Sequence, residues 1–267
     1  MASSTRQALI VAKEAQSPLL ATADLKFASE LFAVSSALSE SVQLRGILSD
    51  PSAESDAKSK LSTSIFGKAV SASTLKFLNN LFGLRWSSGR DLVEAIETLA
   101  IRAAASVAAK KKELDDVEAQ IFAFRHAVDS DSELQFALAN KAASDDAKSK
   151  LVKALLGKKV SDVAELLIRS AVLGAGNRRV YVVLEQFGKQ VSEFAERLVA
   201  TVSVAAPISK SQVEKLESVL AAKYHHPVRI NLVIDPELIG GMRVQLAGDI
   251  IDGSLSNRLQ KAKLQLA

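Results

Sequence analysis

Few side chains in this chain combine a type and a spacing that could support catalysis. Four carboxylates cluster near the C-terminus and could serve as general acids or bases: Asp235, Glu237, Asp249 and Asp252. Each lies at a predicted turn or cap, where aspartate is favoured because its side chain bonds to nearby backbone groups. We therefore interpret them as turn-forming residues and predict no catalytic residue among them.

Metal and phosphate sites are predicted to be absent. His225-His226 is a pair of adjacent residues that point apart, and the chain has no cysteine to complete a metal site. Gly67-Lys68 and Gly157-Lys158 resemble the end of a phosphate-binding loop, but Ser62 and Val152 replace the first glycine of that motif. We interpret both pairs as helix C-caps and predict neither a cofactor nor a small-molecule substrate.

Composition favours a helical protein. Of the 267 residues, 48% are apolar, which is enough to bury sizeable cores. Only 5% of the residues are aromatic. There are 34 basic and 30 acidic residues, and the longest basic run, Lys110–Lys112, is typical of a solvated helix face. The pI near 9.2 leaves one alternative open, a basic helical protein that binds nucleic acid with steep salt dependence.

No membrane or secretion signal is evident in the sequence. No apolar run approaches the ~20 residues needed to span a bilayer. The first sixteen residues lack the basic and then apolar layout of a signal peptide. We expect a protein that is soluble or peripheral to a larger assembly.

An internal repeat organises the first two thirds of the chain. The segment 56–71 recurs at 146–161, an offset of 90, with ten of sixteen positions identical. Chance would give about one, so the unit is duplicated. Upstream, Leu31-Phe32-Ala33 corresponds to Ile121-Phe122-Ala123 at the same offset. We predict two tandem helical bundles, at 1–105 and 106–195.

The junction between the copies is ambiguous in the sequence. Residues 91–127 contain no glycine or proline, so they could form one long helix or two helices that meet around Val107–Lys112. Shortly afterwards, Ser132 with Gln135 predicts a capping box for a helix over Glu133–Ala139.

The last third of the chain, 196–267, predicts a small α+β domain. Leu198–Ala206 and Val228–Ile234 alternate as strands do, and Ser209 with Gln212 predicts a capping box for the helix between them. Asp235-Pro236 and Gly240-Gly241 predict turns before a strand in which Met242, Val244 and Leu246 alternate with polar residues. A hairpin and a last amphipathic helix over Leu255–Leu266 complete the predicted fold class, which is mostly α with a small α+β end.

This C-terminal stretch resembles the delta subunit of F-type ATP synthases, the oligomycin-sensitivity-conferring protein of mitochondria. The resemblance is carried by four short matches that follow the family's spacing: Val233-Ile234-Asp235-Pro236, Leu238-Ile239-Gly240-Gly241, Ile251-Asp252-Gly253-Ser254 and Arg258-Leu259. Upstream segments add weaker matches: Val42–Pro51, which Lys58–Gly67 continues, and Ala205–Ser209.

The resemblance implies a non-catalytic subunit of the peripheral stalk on the cytoplasmic face of the cell membrane. Its expected partners are the N-terminal helices of the alpha subunits and the C-terminal helix of the b subunit, with no nucleic acid. It also implies that nine residues form a structural signature of the stalk-binding domain: Asp235, Pro236, Gly240, Gly241, Ile251, Asp252, Gly253, Ser254 and Arg258. The alternating apolar residues after Gly241 are expected to form the floor of a clamp for the stalk helix.

Two departures from the family pattern stand out. The family usually has Gly-Asp at the hairpin turn, where this chain has Ala247-Gly248 followed by Asp249. The second helical bundle is an addition that resembles the duplicated arrangement of actinobacterial delta subunits. It leaves open which bundle performs the family's task.

Overall fold

The computed structural model describes residues 3–157, 159–195, 198–224, 228–236, 238, 240–246 and 249–252. These residues divide into two compact units, Met1–Val191 and Ser192–Ala267. The predicted class, mostly α with a small α+β end, is confirmed.

The first unit is built of helices in the part of the chain that the structure describes. Their bounds are α1 Ser3–Thr22, α2 Leu25–Glu40, α3 Val42–Ser49, α4 Ser55–Phe66, α5 Ala72–Phe82, α6 Gly89–Lys111, α7 Leu114–Ser130, α8 Ser132–Ala139, α9 Asp145–Leu156, α10 Asp162–Leu173 and α11 Val180–Phe194, whose last residues pass into the second unit. Fully buried side chains on several of them form the core, among them Leu31, Leu78, Leu92, Ile96 and Phe187.

The repeat appears directly in the helix bounds. α3 and α8 are offset by 90 at both ends, and so are α4 and α9. Side-chain contacts repeat as well: Glu30 of α2 accepts from the backbone N–H of Ser71 at 3.0 Å, and Gln120 of α7 accepts from the N–H of Ser161 at 3.0 Å. In the first copy α2 is therefore bonded to the N-cap of α5, and in the second copy α7 is bonded in the same way to the N-cap of α10.

Two helices, not one, occupy 91–127. α6 ends at Lys111, and Lys112 adopts the left-handed conformation with φ 59°. Its N–H and that of Glu113 bond back to carbonyls of α6, so the chain turns there before α7 begins. The predicted boundary at 105/106 lies inside α6, and residues 1–191 form one compact unit. The division into 1–105 and 106–195 therefore remains a prediction about the repeat.

The predicted capping box at Ser132 is wrong. Asp131 is the N-cap of α8, and its carboxylate accepts from the N–H groups of Glu133 and Leu134 at 2.9 and 3.0 Å. Gln135 instead donates to the carbonyl of Asp129 at 3.0 Å. An aspartate one residue earlier competes successfully with serine because its carboxylate is a stronger acceptor.

The second unit contains a four-stranded mixed sheet in its described residues. The strands are β1 Leu198–Val204, β2 Val228–Ile234, β3 Met242–Leu246 and β4 Asp249–Asp252, in the order β2-β1-β3-β4. β1 and β2 are parallel, and the other pairs are antiparallel. Helix α12, Lys210–Tyr224, connects the parallel strands and packs on the sheet through Leu220.

Candidate partner-binding surfaces

The turn between β2 and β3 holds four of the predicted signature residues. The N–H of Asp235 donates to the carbonyl of Val204 at 2.9 Å, which ties the start of the turn to the central strand. Pro236 follows, and the turn ends at Gly240 and Gly241, with φ of 155° and 82°. Residues other than glycine rarely adopt a φ of 82°, so the backbone conformation of the turn favours glycine at position 241.

The hairpin places two more signature residues on the edge strand. In the register of β3 and β4, Ile251 is opposite Val244, and Asp252 is opposite Arg243. Asp249 and Asp252 are the first and last residues of β4. Several predicted features lie outside the described residues: Gly253, Ser254, Arg258, the predicted helix Leu255–Leu266, His225-His226 and Glu237.

A row of apolar residues crosses the sheet at the end next to this turn. Ile234, Val204 and Met242 are neighbours in the strand register. Val204 is buried, whereas Ile234 is 55% exposed and Met242 36% exposed. Two large apolar side chains exposed on one face, on either side of the buried Val204, are typical of a contact surface for another molecule.

The rest of that sheet face is closed. Val244 and Leu246 are buried with Ala200, Val202 and Leu220 in the core under α12. The expected open floor after Gly241 is therefore mostly internal core, and the Ile234–Met242 row is the part that remains accessible. The strand alternation predicts that one face of the sheet is buried, but it does not show which residues of that face α12 covers.

Exposed apolar residues also occur at matching places in the two helical copies. Ile65 of α4 is 44% exposed, and its counterpart Leu155 of α9 is 48% exposed. The preceding helices differ, since α3 exposes Val42 and Ile47 while α8 exposes Phe136. Both copies thus present apolar surface, with different side chains.

The structure buries one basic residue that the sequence motifs did not single out. Lys58 of α4 is 4% exposed, and its ammonium donates to the carbonyl of Phe82 at the end of α5 at 2.9 Å. Burial lowers the pKa of Lys58, and the charge of Asp50 opposes that shift. In the sequence, this lysine is marked by its place in the duplicated Asp-Ala-Lys-Ser-Lys-Leu segment. In the structure, its charge lies at the C-terminal end of α5 and stabilises the packing of α4 on α5.

The described residues contain no group of three or more His, Asp or Glu side chains placed to hold a metal ion. Among the same residues, no helix is both long and apolar enough to cross a bilayer.

Comparison with known proteins gives consistent matches. The family model described as ATP synthase delta (OSCP) subunit matches residues 101–266. A protein of Leifsonia xyli named ATP synthase subunit delta is 42% identical over 267 residues, which is 100% of both chains. Proteins of the same name from Streptomyces coelicolor and an Arthrobacter species are 36% and 37% identical, over 100% of this chain and 98% of each relative.

Among solved structures, the likeness to a chain of the Toxoplasma gondii mitochondrial ATP synthase hexamer is weak, with a TM-score of 0.33 and 18% identity over 62% of this chain and 96% of that one. The sequence matches, in contrast, cover the whole chain at substantial identity. The chain belongs to the ATP synthase delta (OSCP) subunit family.

Proposed function

We propose that this chain is a non-catalytic peripheral-stalk subunit that joins the catalytic head of a proton-translocating ATP synthase to its membrane-anchored b subunit. The helical unit holds N-terminal helices of the alpha subunits, and the α+β unit holds the C-terminal helix of b. Held in this way at the cytoplasmic face of the cell membrane, the head cannot turn with the rotor, and torque drives ATP synthesis.

The observation that carries this proposal is the full-length similarity to ATP synthase subunit delta, 42% identical over 100% of both chains. It supports a place in that complex for both units, because neither unit lies outside the match. Nothing in the described residues favours the nucleic-acid alternative over it.

A stator joint must hold both partners through many catalytic cycles. A nanomolar dissociation constant corresponds to about 12 kcal/mol, and an interface burying on the order of 1,600 Å² in total can supply it. Exposed ion pairs add only ~0–1 kcal/mol each, so apolar anchors carry most of this energy. Ile234 and Met242, both exposed on the α+β unit, are the anchors we propose there.

The b contact is tested with the full chain and a peptide of the b C-terminus. Ile234→Lys is expected to weaken binding about tenfold or more, because it places a charge in the centre of an apolar contact. Val219→Lys is the matched control, since Val219 of α12 is 57% exposed and lies outside the row. Equal binding by both variants in calorimetry would remove the row from the b interface.

The function as a whole is tested in membranes that lack the chain. ATP hydrolysis by the head should persist while proton-driven ATP synthesis is lost, and adding back the purified chain should restore synthesis. Synthesis at the wild-type rate without the chain would refute the stator function.

A further inference from the structure

Strand β2 has one side that no other strand of the described sheet covers. It lies at the end of the order β2-β1-β3-β4 and pairs with β1 alone. The N–H of Asp235, directly after β2, donates to the carbonyl of Val204 in β1 at 2.9 Å. Backbone groups alternate in direction along a strand, so the N–H groups of Ile230, Leu232 and Ile234 point away from β1. These three N–H groups form what we call the outer edge of β2.

One donor of the outer edge is occupied by a carboxylate. The N–H of Ile230 donates to the side chain of Glu217 at 2.9 Å, and Glu217 lies in the middle of α12. The helix is held on the sheet by Leu220, which is buried together with Ile230. Glu217 precedes Leu220 by three residues and shares its helix face, so its half-buried side chain lies beside this core and meets the strand.

The other two donors of the outer edge stay open toward the described residues. No hydrogen bond joins the N–H of Leu232 or of Ile234 to a side chain, or to a backbone group outside the sheet, in that part of the chain. Both side chains are apolar, and Ile234 is 55% exposed. An edge strand with open N–H groups is a template for pairing with another chain. A second copy of this chain presents the same edge, which makes the edge self-complementary.

We propose that Glu217 guards the outer edge of β2 against pairing with β2 of a second copy of this chain. Its carboxylate takes the donor of Ile230, so that only Leu232 and Ile234 remain for a new ladder. An incoming strand must also displace the carboxylate and bury its charge, which is unfavourable without a partner. The inference goes beyond the proposed function and involves neither the alpha nor the b subunit, so each stands or falls separately.

The test is the mass of the full chain in sedimentation equilibrium over a range of concentrations. Glu217→Ala frees the N–H of Ile230 and should shift the mass from 28.5 kDa toward twice that value as concentration rises, whereas the wild type should not shift. Glu214→Ala is the matched control, because Glu214 is exposed one turn earlier on the same helix. It should behave as the wild type does.

Two further variants separate the guarding role from packing of α12. Glu217→Gln keeps an oxygen that can accept from the Ile230 N–H, so it should remain a monomer. Glu217→Leu keeps most of the side-chain volume but cannot accept, so it should dimerise as the alanine variant does. It also preserves the test if Glu217→Ala does not fold. Circular dichroism establishes that each variant retains its helices.

Amide hydrogen exchange locates the contact. In the monomeric alanine variant the amide of Ile230 should exchange about tenfold faster than in the wild type, because it has lost a bond to a charged acceptor. In the dimer the amides of Leu232 and Ile234 should exchange more slowly than in the monomer, because they then donate to the second strand.

Several results would overturn the proposal. Glu217→Ala and Glu217→Leu chains that stay monomeric, although the Ile230 amide exchanges faster, would show that the bond only fastens α12 to β2. Dimers in which Leu232 and Ile234 gain no protection would form through another surface. A wild type that pairs through these amides, or a Glu217→Gln variant that dimerises as readily as Glu217→Ala, would show that the bond to Ile230 does not guard the edge.

Discussion

At the scale of single residues, Glu97 and Arg178 join distant parts of the helical unit. Arg178 lies 3.7 Å from the carboxylate of Glu97 and also donates to the carbonyl of Gly174 at 3.0 Å. It thereby ties the end of α10 to the middle of α6. Burial raises the pKa of Glu97, the charge of Arg178 opposes the shift, and the nearby Glu94 adds to it.

This raised pKa gives a pH-dependent prediction. Because the folded protein holds the Glu97 proton more tightly than the unfolded chain, its stabilising contribution is complete below the ordinary value of 4.5 and is lost as pH rises through the folded pKa. The free energy of unfolding of the wild type, relative to Glu97→Gln, should therefore fall as the pH rises above 4.5.

Urea unfolding at several pH values measures that difference. Glu14→Gln, at an exposed position on α1, provides the control for a carboxylate at the surface. A wild-type advantage over Glu97→Gln that grows with pH would show that the ion pair with Arg178 outweighs burial.

Gly241 gives a second residue-scale prediction. Its φ of 82° lies where a Cβ is strained, so Gly241→Ala should destabilise the α+β unit by about 1–2 kcal/mol. Gly46 is the contrasting glycine, inside helix α3 with nothing within 4 Å of an added Cβ. Gly46→Ala should be neutral or stabilising by up to about 1 kcal/mol. Urea unfolding checks both, and equal effects would show that the backbone angle does not matter.

At the scale of elements, the two copies share one arrangement with different chemistry at its centre. The Ser71 hydroxyl of α5 donates to the carboxylate of the buried Glu30 at 2.9 Å. The Ser161 hydroxyl of α10 donates to the neutral amide oxygen of Gln120 at 3.1 Å. Each serine also caps its helix. A charged acceptor makes the bond in the first copy the stronger one.

Removing the two hydroxyls should therefore have unequal effects. Ser161→Ala loses a cap and should cost about 1 kcal/mol of unfolding free energy. Ser71→Ala also loses a bond to a buried carboxylate and should cost about 2 kcal/mol. Thermal or urea unfolding of the two variants compares them directly. A larger loss for Ser161→Ala would contradict the assignment of the stronger bond to Glu30.

Much at this scale was predictable from local patterns. The offset of 90 predicted matching helices, and α3/α8 and α4/α9 keep it at both ends. The capping box of α12 is confirmed, since the Ser209 N–H donates to Gln212 at 2.8 Å and the Gln212 N–H donates to Ser209 at 3.3 Å. Strand alternation likewise predicted β1, β2 and β3, because one face of each packs under α12.

The surfaces were less predictable, because they depend on which elements meet. The alternation of Met242, Val244 and Leu246 is uniform in the sequence, yet only Met242 among them is exposed. The burial of Lys58 and the pairing of Glu97 with Arg178 depend on helix packing, which no single segment encodes. The nine signature residues remain a prediction of the family resemblance, since burial alone assigns them no partner.

At the scale of the whole molecule, α6 has two places in the repeat. As the last helix of the first copy it corresponds to α11, offset by 91 at its start. At the repeat offset of 90, α1 corresponds to residues 93–112, so the same helix also matches the first of the second copy. The family match begins at residue 101, inside α6. We infer that one helix serves both copies of the repeat.

The most direct measurement of the stator function is a bridging experiment in solution. The purified catalytic head, the full chain and the soluble part of the b subunit are mixed, and the masses of the complexes are determined. A stator joint predicts one complex that contains all three, which disappears when the chain is omitted. If the chain binds the head or b but never both at once, the account of this protein as the joint between them is wrong.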